Sequence, residues 1–424
     1  MNKIRLNVQD LTKGMYVCEL DRPWVETSFL FQGFRITNEQ ELGQLADTCE
    51  FVFVDAEKSH VDVTAARHAS SSSGAPRKRR RSLLSLLRRQ TPPPMRSFEE
   101  ELPVARELFI EVQESIKNLF ADVRLGRSLN VGKVRATVQS ITDSIIRHPD
   151  AMKLLCALEN KDRDSVAHAL SVCVLSLTFG RHLGMAEEQL LTLGLAALLH
   201  DIGELRLPEG LMHKRGGWSE SDYDQAKHHT DYGVELLRNS EGIPGGVVEV
   251  ARDHHERANR SGYPRQLGAD EIGVFTKIVG IVDVYDSVTK GLEGKPAVSF
   301  TDALKSMYDW REQLFDGELV EQFIQCLGIY PVGSVVELNS GEVGIVISLT
   351  PTVRLAPKVM LVRNKDKKPY HPPRIVNLAK FIDGEDEEAR YRYEVHSVIP
   401  AEQYGVDVRH YVLRELYQQQ EQIA

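Results

Sequence analysis

Apolar residues fall into two rhythms along this chain. Residues 1–63 alternate apolar and polar, as in Arg5-Leu6-Asn7-Val8 and Phe51-Val52-Phe53-Val54-Asp55, with further strand signals at Gly14–Cys18 and Ser28–Phe31. Alternation with period two places one face of a strand on a core. A helix is expected near Asn38 to Asp47, giving a small α+β module. From Phe98 the spacing becomes three and four, through Leu102, Ala105, Phe109, Val112, Ile116 and Leu119. That period is helical. A second helix near 131–146 sets Val134, Val138, Ile141 and Ile145 on one face, suited either to the core or to pairing between two copies. Helical patterning continues to about residue 325. The rhythm then returns to strands: Pro331–Leu338, the turn Asn339-Ser340-Gly341 and Glu342–Ser348 predict a hairpin, and Lys358–Arg363 a third strand. An acidic loop at 383–388 and a polar helix over 407–422 close the chain.

These patterns divide the 424 residues into a module at 1–63, a linker at 64–98, connecting helices at 99–150, a helical domain at 151–325 and a β-rich domain at 326–424. The linker joins Ser70-Ser71-Ser72-Ser73 to the basic run Arg77–Arg81 and to Pro92-Pro93-Pro94. Such a composition buries too little apolar surface to order itself. The basic run is read as solvated and not as a nucleic-acid contact, because the chain as a whole carries net charge −9. No apolar run reaches the ~18–20 residues of a membrane span, and the start lacks the apolar core of a signal peptide. A cytoplasmic protein is expected. Five scattered cysteines without a Cys-x-x-Cys pair predict reduced thiols.

The candidate chemistry starts at Leu195-Ala-Ala-Leu-Leu-His-Asp-Ile-Gly203. An all-round apolar helix is buried, and a buried helix ending on His200-Asp201 needs something to compensate its charge. Eight of the 14 histidines lie between His168 and His255. His168, His200-Asp201, His229, His254-His255 and Asp283 each lie on or beside an apolar helix face, so inward-pointing side chains of one bundle can converge on a metal. Gly233, one turn after His229, is expected to leave room there. Imidazole and carboxylate donors without thiolate suit iron or manganese. A carboxylate has two oxygens, so Asp201 is the natural bridge between two ions.

The ordered set His168, His200-Asp201, His229, His254-His255 and Asp283, with the tripeptide Gly262-Tyr263-Pro264, resembles the HD-GYP branch of the HD phosphohydrolase superfamily over about residues 163–315. Residues 1–63 resemble the small domain often fused ahead of it. The resemblance implies a mainly α protein: an all-helical HD-type metal-binding bundle flanked by an N-terminal α+β module and a C-terminal β-rich appendage. It implies two divalent metal ions, with His168, His200 and Asp283 on one and His229, His254 and His255 on the other. Asp164 is either a third-metal carboxylate or a surface group at a helix start. The implied activity is phosphodiesterase: cyclic di-GMP opened to pGpG, or onward to GMP, through a hydroxide bridging the metals.

Three departures from that pattern bear on substrate binding. Glu204 follows His-Asp-x-Gly where the family carries a phosphate-facing lysine. Asn259-Arg260 replaces the usual Asp-Gly, so Arg260 either offsets Glu204 or is a surface charge. Lys290–Pro296 replaces an arginine-rich segment, leaving Lys295, and secondarily Lys214, as candidate phosphate contacts, with Tyr263 beside the base or buttressing its loop. These departures sustain a second reading, a catalytically weak sensor or adaptor that binds cyclic di-GMP or a signalling partner. The connecting helices are the expected homodimer surface, should one form.

Overall fold

The computed structural model describes residues 3–21, 33–61, 94–159, 164–208, 210–211, 218–291, 297–350, 353, 355–381 and 387–414. The chain forms two compact units, residues 1–82 and 83–424. The strand signal at Ser28–Phe31, the basic run Arg77–Arg81, Lys214 and Lys295 lie outside the described residues.

In the first unit, β1 (Lys3–Asn7), β2 (Tyr16–Leu20), β3 (Phe34–Arg35) and β4 (Phe51–Asp55) make an antiparallel sheet in the order β1-β4-β2-β3. Helix α1 (Glu39–Thr48) starts at Asn38, whose side chain accepts from the Glu41 backbone N–H while Glu41 reaches back, a reciprocal cap. Met15, Val17, Ile36, Leu45, Val52 and Val54 form the core, so the alternation in the sequence is the inside–outside alternation of the sheet.

The second unit opens with α2 (Phe98–Arg124) and α3 (Val131–Arg147). Val134, Val138, Ile141 and Ile145 are buried within this unit, so the apolar face of α3 turns inward. Buried Glu101 fixes the pair: it accepts from Arg147 Nε at 2.8 Å and from Ser144 Oγ at 2.8 Å. The helices α4 (Pro149–Ala157), α5 (Ser165–His182), α6 (Glu187–Leu199), α7 (Glu220–Lys227), α8 (His229–Arg238), α9 (Gly245–Asp253), α10 (Val274–Lys290), α11 (Phe300–Trp310) and α12 (Gly317–Leu327) follow. α5 and α6 are apolar nearly all round and pack on each other, with α10 across α5 and α9 across α6.

Strands β5 (Val335–Leu338), β6 (Val343–Ser348), β7 (Lys358–Arg363), β8 (Pro369–Asn377) and β9 (Val395–Val398), with α13 (Glu387–Arg392) before β9, complete the fold. The sheet is antiparallel, in the order β8-β7-β6-β5-β9. Gly341 takes a φ of 78°, which lets the β5–β6 hairpin close at the expected turn. Every β6 residue is buried. The bundle holds this sheet through buried Asp150 of α4, which accepts from Ser348 Oγ and the Leu349 N–H, both at 2.8 Å, and pairs with Lys153 at 2.6 Å. The terminal helix runs over 408–414 among the described residues. No described helix is long and apolar enough to cross a membrane.

Candidate metal centre

Five helix segments deliver the site. His168 lies in the first turn of α5, His200 caps the C-terminal end of α6, and Asp201 leads into a 3-10 turn, Ile202–Arg206. His229 is the first residue of α8, His254 and His255 follow the end of α9, and Asp283 sits in the middle of α10. Close backbone approach makes this possible. A Cβ on Gly203 would lie 1.9 Å from the His229 carbonyl oxygen, so glycine alone lets the 3-10 turn lie against the start of α8. The space expected at Gly233 is not needed in the same way: a Cβ there meets its nearest neighbour at an ordinary 3.7 Å.

Two groups of donors result: His168, His200 and Asp283, and Asp201, His229, His254 and His255, with the ligand atoms of each group within 4.8 Å of one another. Asp201 faces both. Its Oδ2 is 3.1 Å from His200 Nε2 and 3.6 Å from His168 Nε2, while its Oδ1 is 3.2 Å from His254 Nε2 and 3.4 Å from His229 Nε2. Asp283 Oδ1 lies 3.2 Å from His168 Nε2.

The protons of the rings are assigned by their other nitrogens. Nδ1 of His200, His229 and His254 donates to the carbonyls of Ala197, Ala226 and Val250 at 2.8, 2.7 and 3.0 Å. In the neutral rings each Nε2 then presents a lone pair to carboxylate lone pairs. His200 Nε2 and Asp201 Oδ1 are buried and make no hydrogen bond. Buried acceptors facing acceptors are costly, and a divalent cation is what such a cluster fits. The carboxylates also favour positive charge at this point. Burial opposes charge on His168, but Asp201, Asp283 and Asp286 outweigh it and hold its pKa well above the usual imidazole range. Burial also opposes the Asp201 carboxylate, yet His200 and His168 hold it far below the carboxylate range. Burial, then His254 and His229, push His255 well down, and burial lowers His229. Both shifts favour the neutral ring that a metal ligand must present.

The tripeptide loop roofs the second group. A Cβ on Gly262 would lie 2.4 Å from the His255 carbonyl oxygen. Tyr263 stacks on His255 with centroids 4.6 Å apart, and the Tyr263–Pro264 peptide is cis. Buried Glu256 pins the loop by accepting from the backbone N–H groups of Arg265 and Leu267 at 2.6 and 2.8 Å. Burial, followed by Asp201 and Asp283, raises the Tyr263 phenol far above its usual range, so it stays a neutral donor. The Lys227 ammonium sits 5.9 Å over the same ring.

Other anticipated residues sit elsewhere. Asp164 is exposed and caps α5, accepting from the Val166 N–H at 2.9 Å, and it belongs to neither donor group. Arg260 takes the surface-charge alternative: it pairs with Glu271 at 2.7 Å, with φ 68°. Glu204 is half-buried in the 3-10 turn that follows Asp201. Sequence reasoning passed over Asp286, Ser171 and Lys290. Asp286 Oδ2 is 2.7 Å from His168 Nδ1 and 2.9 Å from Lys290 Nζ, and Ser171 Oγ donates to Oδ1 at 2.5 Å. The available signal was spacing: Asp283 and Asp286 on α10, and His168 and Ser171 on α5, both recur at one turn.

Residues 153–319 match the family model described as an HD domain, and residues 3–134 match one described as a domain of unknown function, DUF3391. The chain is 28% identical over 378 residues to the cyclic di-GMP phosphodiesterase PA4108 of Pseudomonas aeruginosa, covering 89% of each. It is 31% identical over 175 residues to the cyclic di-GMP phosphodiesterase response regulator RpfG of Xanthomonas campestris, 41% of this chain and 46% of that one. It is 28% identical over 170 residues to the 3'3'-cGAMP-specific phosphodiesterase 2 of Vibrio cholerae, 40% of this chain and 33% of that one.

Proposed function

We propose that this chain, an HD-GYP protein, is a metal-dependent phosphodiesterase that opens cyclic di-GMP to pGpG, with GMP as the product of a second cut. The observation that carries the reading is Asp201, whose two oxygens face two separate sets of imidazole lone pairs. His168, His200 and Asp283 would hold one ion and His229, His254 and His255 the other. Iron or manganese suits these donors. Two ions match the two groups, and a third would need Asp164 to leave its cap. When bound, the ion pair neutralises phosphate charge and lowers the pKa of water to make a nucleophile. The chain supplies the rest. Asp201 would offer one oxygen to each ion, and Tyr263, fixed on His255, offers a ring edge and a neutral hydroxyl beside the site. Lys227 places positive charge over that ring.

The test is product analysis. The protein is purified without oxygen, loaded with ferrous iron or manganese, and incubated with cyclic di-GMP or 3'3'-cGAMP beside a His200→Ala/Asp201→Ala control. Linear product from cyclic di-GMP only with the intact pair supports the reading. Survival of cyclic di-GMP in metal-loaded protein sinks it, and turnover of cGAMP alone reassigns the substrate. Glu204, standing in the turn after Asp201 where the family carries a phosphate-facing lysine, favours one competing reading, a nucleotide sensor with little turnover. Glu204→Lys decides between them: hydrolysis rises at least tenfold for a sensor and changes little for a working enzyme.

A further inference from the structure

Four imidazoles at this centre have their Nδ1 partner in the structure, and one is held differently. His200, His229 and His254 follow helix ends, and main-chain carbonyls of the preceding turn receive their Nδ1 protons, the Val250 carbonyl taking both Nδ1 and the backbone N–H of His254. His168 stands in the first turn of α5. The carbonyl one turn back, that of Asp164, already accepts the His168 backbone N–H at 2.9 Å. The acceptor facing its Nδ1 is a side chain of α10, a carboxylate 118 residues away: Asp286.

We infer that Asp286, held by Ser171 and Lys290, is a positioning residue for the His168/His200/Asp283 ion, acting through His168 and not as a ligand. The inference rests on reading the cluster as a metal centre. Both Asp286 oxygens are engaged on its own side. Oδ1 accepts from Ser171 Oγ at 2.5 Å, and Oδ2 meets Lys290 Nζ at 2.9 Å and His168 Nδ1 at 2.7 Å. A carboxylate that receives an ammonium and a hydroxyl is an acceptor toward the ring. His168 Nδ1 must then donate, which makes Nε2, facing Asp283 and Asp201 at 3.2 and 3.6 Å, the nitrogen turned toward the ion position. Lys290 also donates to the Ala167 carbonyl at 3.3 Å, fixing the end of α10 against the turn that carries His168. A carboxylate partner makes an imidazole a stronger donor than a carbonyl partner does. The two ions would thereby be held unequally, with a carboxylate-backed ring, His168, in the first group only.

An amide at position 286 can donate to Nδ1 and admit the other tautomer, which puts a proton on Nε2 where the ion should be. The experiment compares the full chain with Asp286→Asn, Asp286→Glu and Lys290→Met. Each is stripped of metal and titrated with manganese, following free ion by electron paramagnetic resonance and bound ion by elemental analysis. Iron-loaded samples give Mössbauer spectra. Wild type should bind two ions. Asp286→Asn should weaken one of the two sites by about 10–100-fold, the usual effect of losing such a partner, and alter one iron signal while sparing the other. Asp286→Glu should recover part of the affinity, and Lys290→Met should show a smaller loss at the same site. Two tight sites with unchanged spectra in Asp286→Asn overturn the inference, as does equal weakening of both. Wild type that binds no ion overturns the metal-centre reading itself, a distinguishable result. If Asp286→Asn does not fold, Ser171→Ala keeps the carboxylate and removes one of its donors. It should weaken the same single site, and unchanged affinity there overturns the inference.

Discussion

At the scale of single residues, contact decides what each position tolerates. Gly203 is the sharpest case, because the atom that an alanine methyl would strike is backbone and cannot rotate away. Gly203→Ala should cost about 3 kcal/mol, the upper range for overpacking, measured as a fall in denaturation midpoint. It should also weaken metal binding, since the displaced carbonyl belongs to His229. The same scale marks the limit of legibility. His168, His200, Asp201, His229, His254, His255 and Asp283 could be picked out in the sequence because each punctuates an apolar helix with an ionisable group. Asp286 shares that helix with Asp283 and was passed over: its meaning lies in a ring and a hydroxyl on α5, and no local pattern encodes that pairing. Arg260 shows the converse. Its charge is visible in the sequence, but its ion pair with Glu271 depends on how the loop turns.

At the scale of elements, the fold turns on how α4 grips the C-terminal sheet. Asp150 is buried, yet Lys153 and then His148 outweigh the burial and hold its carboxyl below the usual 3.8. The unfolded chain takes up this proton near pH 3.8, the folded chain only at lower pH. The contribution to stability is therefore complete above that value and is lost as pH falls through the folded pKa. Asp150→Asn strands the Lys153 ammonium in the interior, which costs about 3–5 kcal/mol. Urea titrations at pH 7 should show that loss, and the gap between wild type and variant should narrow below pH 3.8. A gap that stays constant with pH would refute this account of the pair. The hairpin β5–β6 and the helices α2 and α3 were readable from period alone. Their docking was not, since Asp150 and Ser348 are 198 residues apart.

At the scale of the whole molecule, candidate donors separated by more than a hundred residues meet at one point, so an ion held by them would be coupled to folding of the second unit. An ion that binds only the folded chain stabilises it by about 4 kcal/mol at a thousand times its dissociation constant. Chelation should lower Tm measurably, and His200→Ala/Asp201→Ala should abolish the difference between loaded and stripped protein. An unchanged Tm on chelation in the wild type would disconnect the centre from stability. The residue-scale detail of the rings then has a consequence for inheritance. Where a ring is aimed by a main-chain carbonyl, its aim does not hang on a replaceable side chain, so a scan of substitutions around His200, His229 and His254 should find few damaging positions beyond the histidines, Asp201 and Gly203. His168 hangs on three replaceable side chains, Asp286, Ser171 and Lys290. Genetic fragility at this centre should be lopsided, with silent drift around one ion and a cluster of loss-of-function alleles behind the other.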